Sequence, residues 1–169
     1  MCIRDSPYTS NYAGTLLPGI REYTVTPGEK TTTISGKGKA GLKQEENYYF
    51  FYLPVCYKGI TGKSYAYYNT SRSKNLYLPA SVDENYSYDI QLPENLTLCT
   101  PIQEKKIDNP IGSFKITLTS EGSSLHIELA LQIKKQLITP AEYPAFRSLI
   151  TEWTDRTRKP IPVSYTHLR

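Results

Sequence analysis

The chain has 169 residues, 21% charged and 38% hydrophobic, with 12 Pro, 10 Gly, 15 Tyr and a formal charge of +4. That length fits one domain, or at most one and a half, and can bury a core without metals or disulfides. No run approaches the roughly 18 apolar residues of a membrane span. The positive charge is spread along the chain rather than gathered into a nucleic-acid footprint. Neither membrane insertion nor nucleic acid is therefore expected, and composition excludes collagen, coiled coil and wholesale disorder.

Fusion scars must be set aside before the fold is read. The opening Met1-Cys2-Ile3-Arg4-Asp5-Ser6 resembles translated transposon-adapter DNA of the kind used to prepare sequencing libraries. ATG TGT ATA AGA GAC AG reads Met-Cys-Ile-Arg-Asp, and the trailing AG permits only Ser or Arg, which Ser6 satisfies. The closing Val163-Ser164-Tyr165-Thr166-His167-Leu168-Arg169 matches the reverse complement, GTC TCT TAT ACA CAT CTC CGA. The codon before it must then encode Ser, Pro, Thr or Ala, which Pro162 satisfies. The alternative is a genuine start methionine and a genuine tail. On the adapter reading, 1–6 and 163–169 are artefact, and 7–162 is one domain cut from a longer protein whose start and any signal peptide lie upstream. Both ends are then expected to be exposed and irregular or to form only opportunistic contacts, save that Val163 could extend a strand begun at Ile161.

From Pro7 onward the chain reads mostly as β. Tyr23 and Val25 alternate with polar neighbours, Pro27-Gly28 marks a turn, and Thr31 to Ser35 is rich in β-branched residues. Gly36, Gly38 and Gly41 follow with lysines between them. No Gly-Lys-Ser/Thr ending or helix follows to make a phosphate loop, so a flexible turn or strand edge is expected. Tyr48-Tyr49-Phe50-Phe51-Tyr52-Leu53 is a continuous apolar run of strand length closed by Pro54, which suits a strand buried on both faces. Lys58 to Lys74 turns to Gly, Ser, Thr, Asn and Lys around Tyr65-Ala66-Tyr67-Tyr68, a loop or edge hairpin. Leu76 and Leu78 alternate up to Pro79, and Tyr86, Tyr88, Ile90 and Leu92 alternate with Ser87, Asp89 and Gln91 up to Pro93. Proline cannot donate to a ladder, so Pro54, Pro79 and Pro93 each end a strand.

The clearest hairpin comes next. Phe114, Ile116 and Leu118 alternate, Glu121-Gly122-Ser123 turns, and Leu125, Ile127, Leu129, Leu131 and Ile133 alternate over a long return strand. Its opposite face carries His126, Glu128, Gln132 and Lys134, so one face is core and the other solvent. The period then changes. Thr139-Pro140-Ala141-Glu142 has the form of a capping box, and Tyr143, Phe146, Leu149, Ile150 and Trp153 recur at helical spacing. A helix is expected over about 139–158, its start shifted by Pro144 and its end marked by Lys159-Pro160. The fold class is mainly β: an antiparallel immunoglobulin-like β-sandwich of about seven or more strands with one C-terminal amphipathic α-helix.

Catalytic chemistry is poorly served. Setting aside Cys2 and His167 with the ends, Cys56 and His126 are the only possible nucleophile–base pair. Cys56 sits in a Pro-containing segment with no helix N-terminus to stabilise a thiolate, and His126 reads as a solvent-facing strand residue. No Cys-x-x-Cys or His-x-x-x-His occurs, so no catalytic residue, metal ligand or cofactor is assigned. Glu45-Glu46 and Asp83-Glu84 read as solvated turns. Cys56 and Cys99 are expected as buried free thiols, with a disulfide the alternative in an oxidising compartment. Tyr57, Tyr65, Tyr67, Tyr68 and Tyr77 cluster around the irregular middle segment. They form either a ligand surface for glycan or peptide or strand-forming core filler.

Several short stretches carry a resemblance. They are Gly59-Ile60 after the aromatic strand, Leu76-Tyr77-Leu78-Pro79, and Asn85-Tyr86-Ser87-Tyr88-Asp89-Ile90-Gln91-Leu92-Pro93-Glu94. Asn109-Pro110-Ile111-Gly112-Ser113-Phe114 and Ile138-Thr139-Pro140-Ala141-Glu142-Tyr143-Pro144-Ala145-Phe146-Arg147 follow, with the Trp153 helix. In this order, from Tyr48 to Ile161, they resemble the C-terminal domain of unknown function of bacterial transglutaminase-like envelope proteins. The resemblance implies a β-sandwich that follows a papain-like core, whose catalytic Cys, His and Asp match no position here. It implies a non-catalytic accessory domain whose partner is its own upstream transglutaminase-like domain. The location it implies is the periplasm or cell envelope of a Gram-negative bacterium. The rival expectation is an autonomous glycan- or peptide-binding module using the tyrosine-rich surface.

Overall fold

The computed structural model describes residues 20–28, 32–39, 41–54, 59–60, 71–99 and 103–165. In chain order these form β1 (Ile20–Pro27), β2 (Thr32–Gly38), β3 (Lys43–Glu45), β4 (Tyr48–Phe51), β5 (Leu76–Tyr77) and β6 (Val82–Gln91). There follow β7 (Leu96–Leu98), β8 (Gln103–Asn109), β9 (Gly112–Glu121), β10 (Ser124–Ile133), β11 (Leu137–Ile138), α1 (Tyr143–Arg158) and β12 (Ile161–Tyr165). The architecture is mainly β with one helix near the C-terminal end. Two four-stranded antiparallel sheets, β6-β10-β9-β8 and β3-β4-β12-β7, contribute to one hydrophobic core, while β1-β2 and β5-β11 pair separately.

The strongest alternation in the sequence builds the centre. Leu125, Ile127, Leu129, Leu131 and Ile133 of β10 are all buried, and so are Phe114, Ile116 and Leu118 of β9. The β9–β10 hairpin closes on Gly122-Ser123, with Gly122 at φ +58°, the left-handed conformation that favours glycine at this turn position. The β8–β9 turn is stapled by Asn109. Its Oδ1 accepts from the Ile111 N–H (2.9 Å) and the Gly112 N–H (3.3 Å), and its Nδ2 donates to the Ala145 carbonyl of α1 (3.1 Å). A Cβ on Gly112 would lie 1.8 Å from the Gln132 carbonyl oxygen, so only glycine lets β9 approach β10 there.

The helix buries the stripe its spacing requires: Phe146, Leu149, Ile150 and Trp153 are all inaccessible. Trp153 meets Phe114 of β9 edge-on at 6.5 Å and lies tilted over Tyr86 of β6 at 5.6 Å, which seats α1 on the core face of the sheet. The expected capping box forms differently. The helix begins at Tyr143, and the Thr139 hydroxyl donates to Glu142 Oε2 (3.0 Å) instead of accepting a helix N–H. Residues 140–142 form a turn, and Pro144 then falls in the first helical turn, where its missing N–H has no partner to lose. Glu142 also accepts from the Thr139 N–H and pairs with Lys135. The Lys135 ammonium first, then the Thr139 donors, hold its carboxyl down at about 2.

Two expectations are corrected. The run from Tyr48 to Leu53 is not buried on both faces: Phe51 and Leu53 face the core, whereas Tyr48 and Tyr52, on the alternate face, are half exposed and Phe50 between them is only partly buried. At the other end, β12 runs on through Tyr165, and Val163 is 0% exposed, paired with Tyr49 on one side and Leu98 on the other. Strand pairing uses backbone groups whatever the side chains are, so β12 makes the extension allowed at Val163 and continues it through Ser164 and the still exposed Tyr165.

Candidate functional site

Of the tyrosines singled out as a ligand surface, Tyr77 is 68% exposed on β5. It lies opposite Leu137 of β11, itself 53% exposed, while Ile138 beside it is fully buried. Tyr77 thus presents its ring to water next to an apolar neighbour. Tyr57, Tyr65, Tyr67 and Tyr68 lie outside the described residues, as does Cys56. Cys99 is an exposed free thiol just past β7, not a buried one; its N–H donates to the Pro162 carbonyl (3.1 Å).

His126 does stand on the solvent face of β10. Its Nδ1 lies 2.8 Å from Asp89 Oδ1 on β6, and its Nε2 lies 3.5 Å from Glu128 Oε1. The hydrogen bond to Asp89 first, and that to Glu128 second, raise the imidazole above its ordinary pKa. His126 and Asp89 edge an open depression of about 610 Å³ with Gln91, Thr119, Glu121 and Ser124 along it. His126 is thus engaged by two carboxylates, and Cys99 lies just past a strand of the other four-stranded sheet. Among the described residues no group of three or more His, Cys, Asp and Glu is arranged to hold a metal.

A polar seam missed in the sequence lies on the core side of β6. Asp83 and Glu84 form no solvated turn: both belong to β6, and strand parity puts Glu84 on the same face as Tyr86 and Tyr88. Its carboxylate accepts from the Ile60 N–H (2.5 Å) and the Tyr86 hydroxyl (3.2 Å). Burial raises the Glu84 carboxyl above the usual range, opposed by those two donors. The Tyr88 hydroxyl donates to the Pro54 carbonyl, and burial pushes that phenol well up. The seam ties the segment after β4 to the edge of the larger sheet.

The far face of β4 is aromatic. Tyr48 and Phe50 stand on it with ring centroids 6.5 Å apart and planes inclined at 45°. Tyr52, 50% exposed, continues the alternation just past the strand end. Across the ladder they neighbour Pro162 and Ser164 of β12 and Lys43 and Glu45 of β3.

Comparison with known proteins gives two findings. The sequence profile of DUF3858, a domain of unknown function with a solved structure, matches residues 47–163. The crystal structure of a candidate protease from Parabacteroides distasonis is similar to this chain, with 31% identity and a TM-score of 0.64 over 71% of this chain and 24% of that one. The chain thus spans about a quarter of the length of the solved protein it matches. No curated protein matches it.

Proposed function

Because the chain belongs to the DUF3858 family, we propose that it is a non-catalytic accessory module of a longer transglutaminase-like cell-envelope protein, supporting or positioning a papain-like core encoded upstream. The observation that carries this reading is the proportion of the match: a domain that answers to 24% of a candidate protease leaves most of such a chain to hold the chemistry. The resemblance from Tyr48 to Ile161 supplies the transglutaminase-like parent. On this reading the module needs no cofactor, its partner is its own upstream domain, and it works in the periplasm or envelope of a Gram-negative bacterium. The residues agree in kind, because His126 is committed to Asp89 and Glu128 and no thiol shares its sheet among the described residues.

The second reading, a glycan- or peptide-binding module, draws on one observation, the exposed Tyr77–Leu137 pair. The gene upstream of this segment separates the two. A papain-like core with its Cys, followed by loss of that core's activity or stability when this domain is deleted, supports the accessory role. A natural chain with no such core, or a specific ligand hit lost on Tyr77→Ala, supports the binding module.

A further inference from the structure

We propose that the outer face of the β3-β4-β12-β7 sheet, carried by Tyr48, Phe50 and Tyr52, is the surface on which this domain docks against the neighbouring domain of its own polypeptide. The inference rests on the reading of a longer parent chain and names the surface and the partner.

The two sheets treat water differently. The outer face of the larger sheet carries Asn85, Ser87, Asp89, Lys115, Thr119 and Glu128, a surface that needs no cover. The outer face of the smaller sheet carries three consecutive outward aromatics instead, two of them half exposed, with Pro162 across the ladder. Single exposed apolar residues are ordinary. A contiguous aromatic stripe rimmed by Lys43 and Glu45 marks an interface.

Three observations choose the occupant. The solved relative has about three-quarters of its length outside the matched region, so a domain of this kind has a large neighbour on the same chain. The stripe starts at Tyr48, at the N-terminal edge of the family match, which begins at 47. Just before it, the β1–β2 hairpin joins neither four-stranded sheet, and of its side chains with described burial only Ile34 is even half-buried. A lone two-stranded hairpin is marginal in water, so the ribbon that precedes the stripe in sequence also gains from a neighbouring surface. A sugar chain fits less well, because rings tilted by 45° share no plane on which successive pyranose faces could stack.

Hydroxyl-radical footprinting of the 169-residue chain beside the longer natural polypeptide tests this. Tyr48 and Tyr52 should be oxidised several-fold more slowly in the longer polypeptide. The double variant Tyr48→Ser/Tyr52→Ser should lower the melting temperature of the longer polypeptide and leave that of the 169-residue chain unchanged. Equal oxidation in both contexts overturns the proposal. So does a dimer of the 169-residue chain in sedimentation that the double variant disperses, which would make a second copy the occupant. Stripe-dependent binding of cellohexaose or chitohexaose overturns it as well. An upstream domain without a papain-like core sinks the transglutaminase reading alone; the footprint still decides the docking face.

Discussion

Replacing Trp153 with alanine removes the side chain that joins the helix to the larger sheet. Trp153 is 1% exposed, edge-on to Phe114 and tilted over Tyr86. Burying an indole withdraws about 200 Å² from water, which at about 25 cal/mol per Å² stabilises by roughly 5 kcal/mol. Alanine retains a small part of that, and the hole between α1, β6 and β9 costs further contacts. The expected loss is ~4 kcal/mol, inside the ~3–5 kcal/mol range of large aromatic truncations. For a chain of this length that lowers the melting temperature by about 8–16 °C. Thermal unfolding followed by circular dichroism measures it, with Tyr77→Ala as the exposed control, expected within about 0.5 kcal/mol of wild type. A Trp153→Ala loss below ~1 kcal/mol would refute the packing of α1 on the sheet.

Other consequences are open to measurement. Val163→Ala should cost about 1.5–2.5 kcal/mol in urea unfolding, because two buried methyls are lost between β4 and β7; an unchanged midpoint would mean β12 stops at Pro162. Glu84 has a raised carboxyl pKa, so the folded state holds its proton more tightly than the unfolded chain. Its contribution is therefore full below the ordinary value of about 4.3 and is lost as pH rises through the folded value. Wild type minus Glu84→Gln should show that acid-side gain, and a difference flat with pH contradicts the buried seam. In a nuclear magnetic resonance titration His126 should titrate above the ordinary value of about 6.5, and Asp89→Asn should lower it; no response to Asp89→Asn would place the ion pair elsewhere.

What the sequence disclosed tracks how strongly one face of each element is dried. β9 and β10 lie in the middle of their sheet under α1, so every second residue must be apolar, and their alternation was legible over the whole hairpin. The α1 stripe was legible for the same reason. β8 escaped notice because it is an edge strand whose described core-side positions are Lys105, Ile107 and Asn109, only one of them apolar; Lys105 instead reaches Glu152 of α1 at 2.6 Å. The aromatic run at β4 misled because an apolar residue looks the same in sequence whether it faces a core or a surface held for a partner. Glu84 was legible by parity, since it shares the face of Tyr86 and Tyr88, but an acidic pair at the start of a strand reads first as solvent-facing. The Asp89–His126 pair joins residues 37 apart and depends on the β6–β10 register, which alternation alone does not fix.

The claim that this domain does no chemistry of its own is tested most directly by assaying the purified 169-residue chain for peptidase and transamidase turnover. The account predicts none above the buffer blank, at neutral pH and under reducing conditions that keep Cys99 a thiol. Turnover by the isolated chain that disappears in His126→Ala would contradict it and make the His126 face an active site.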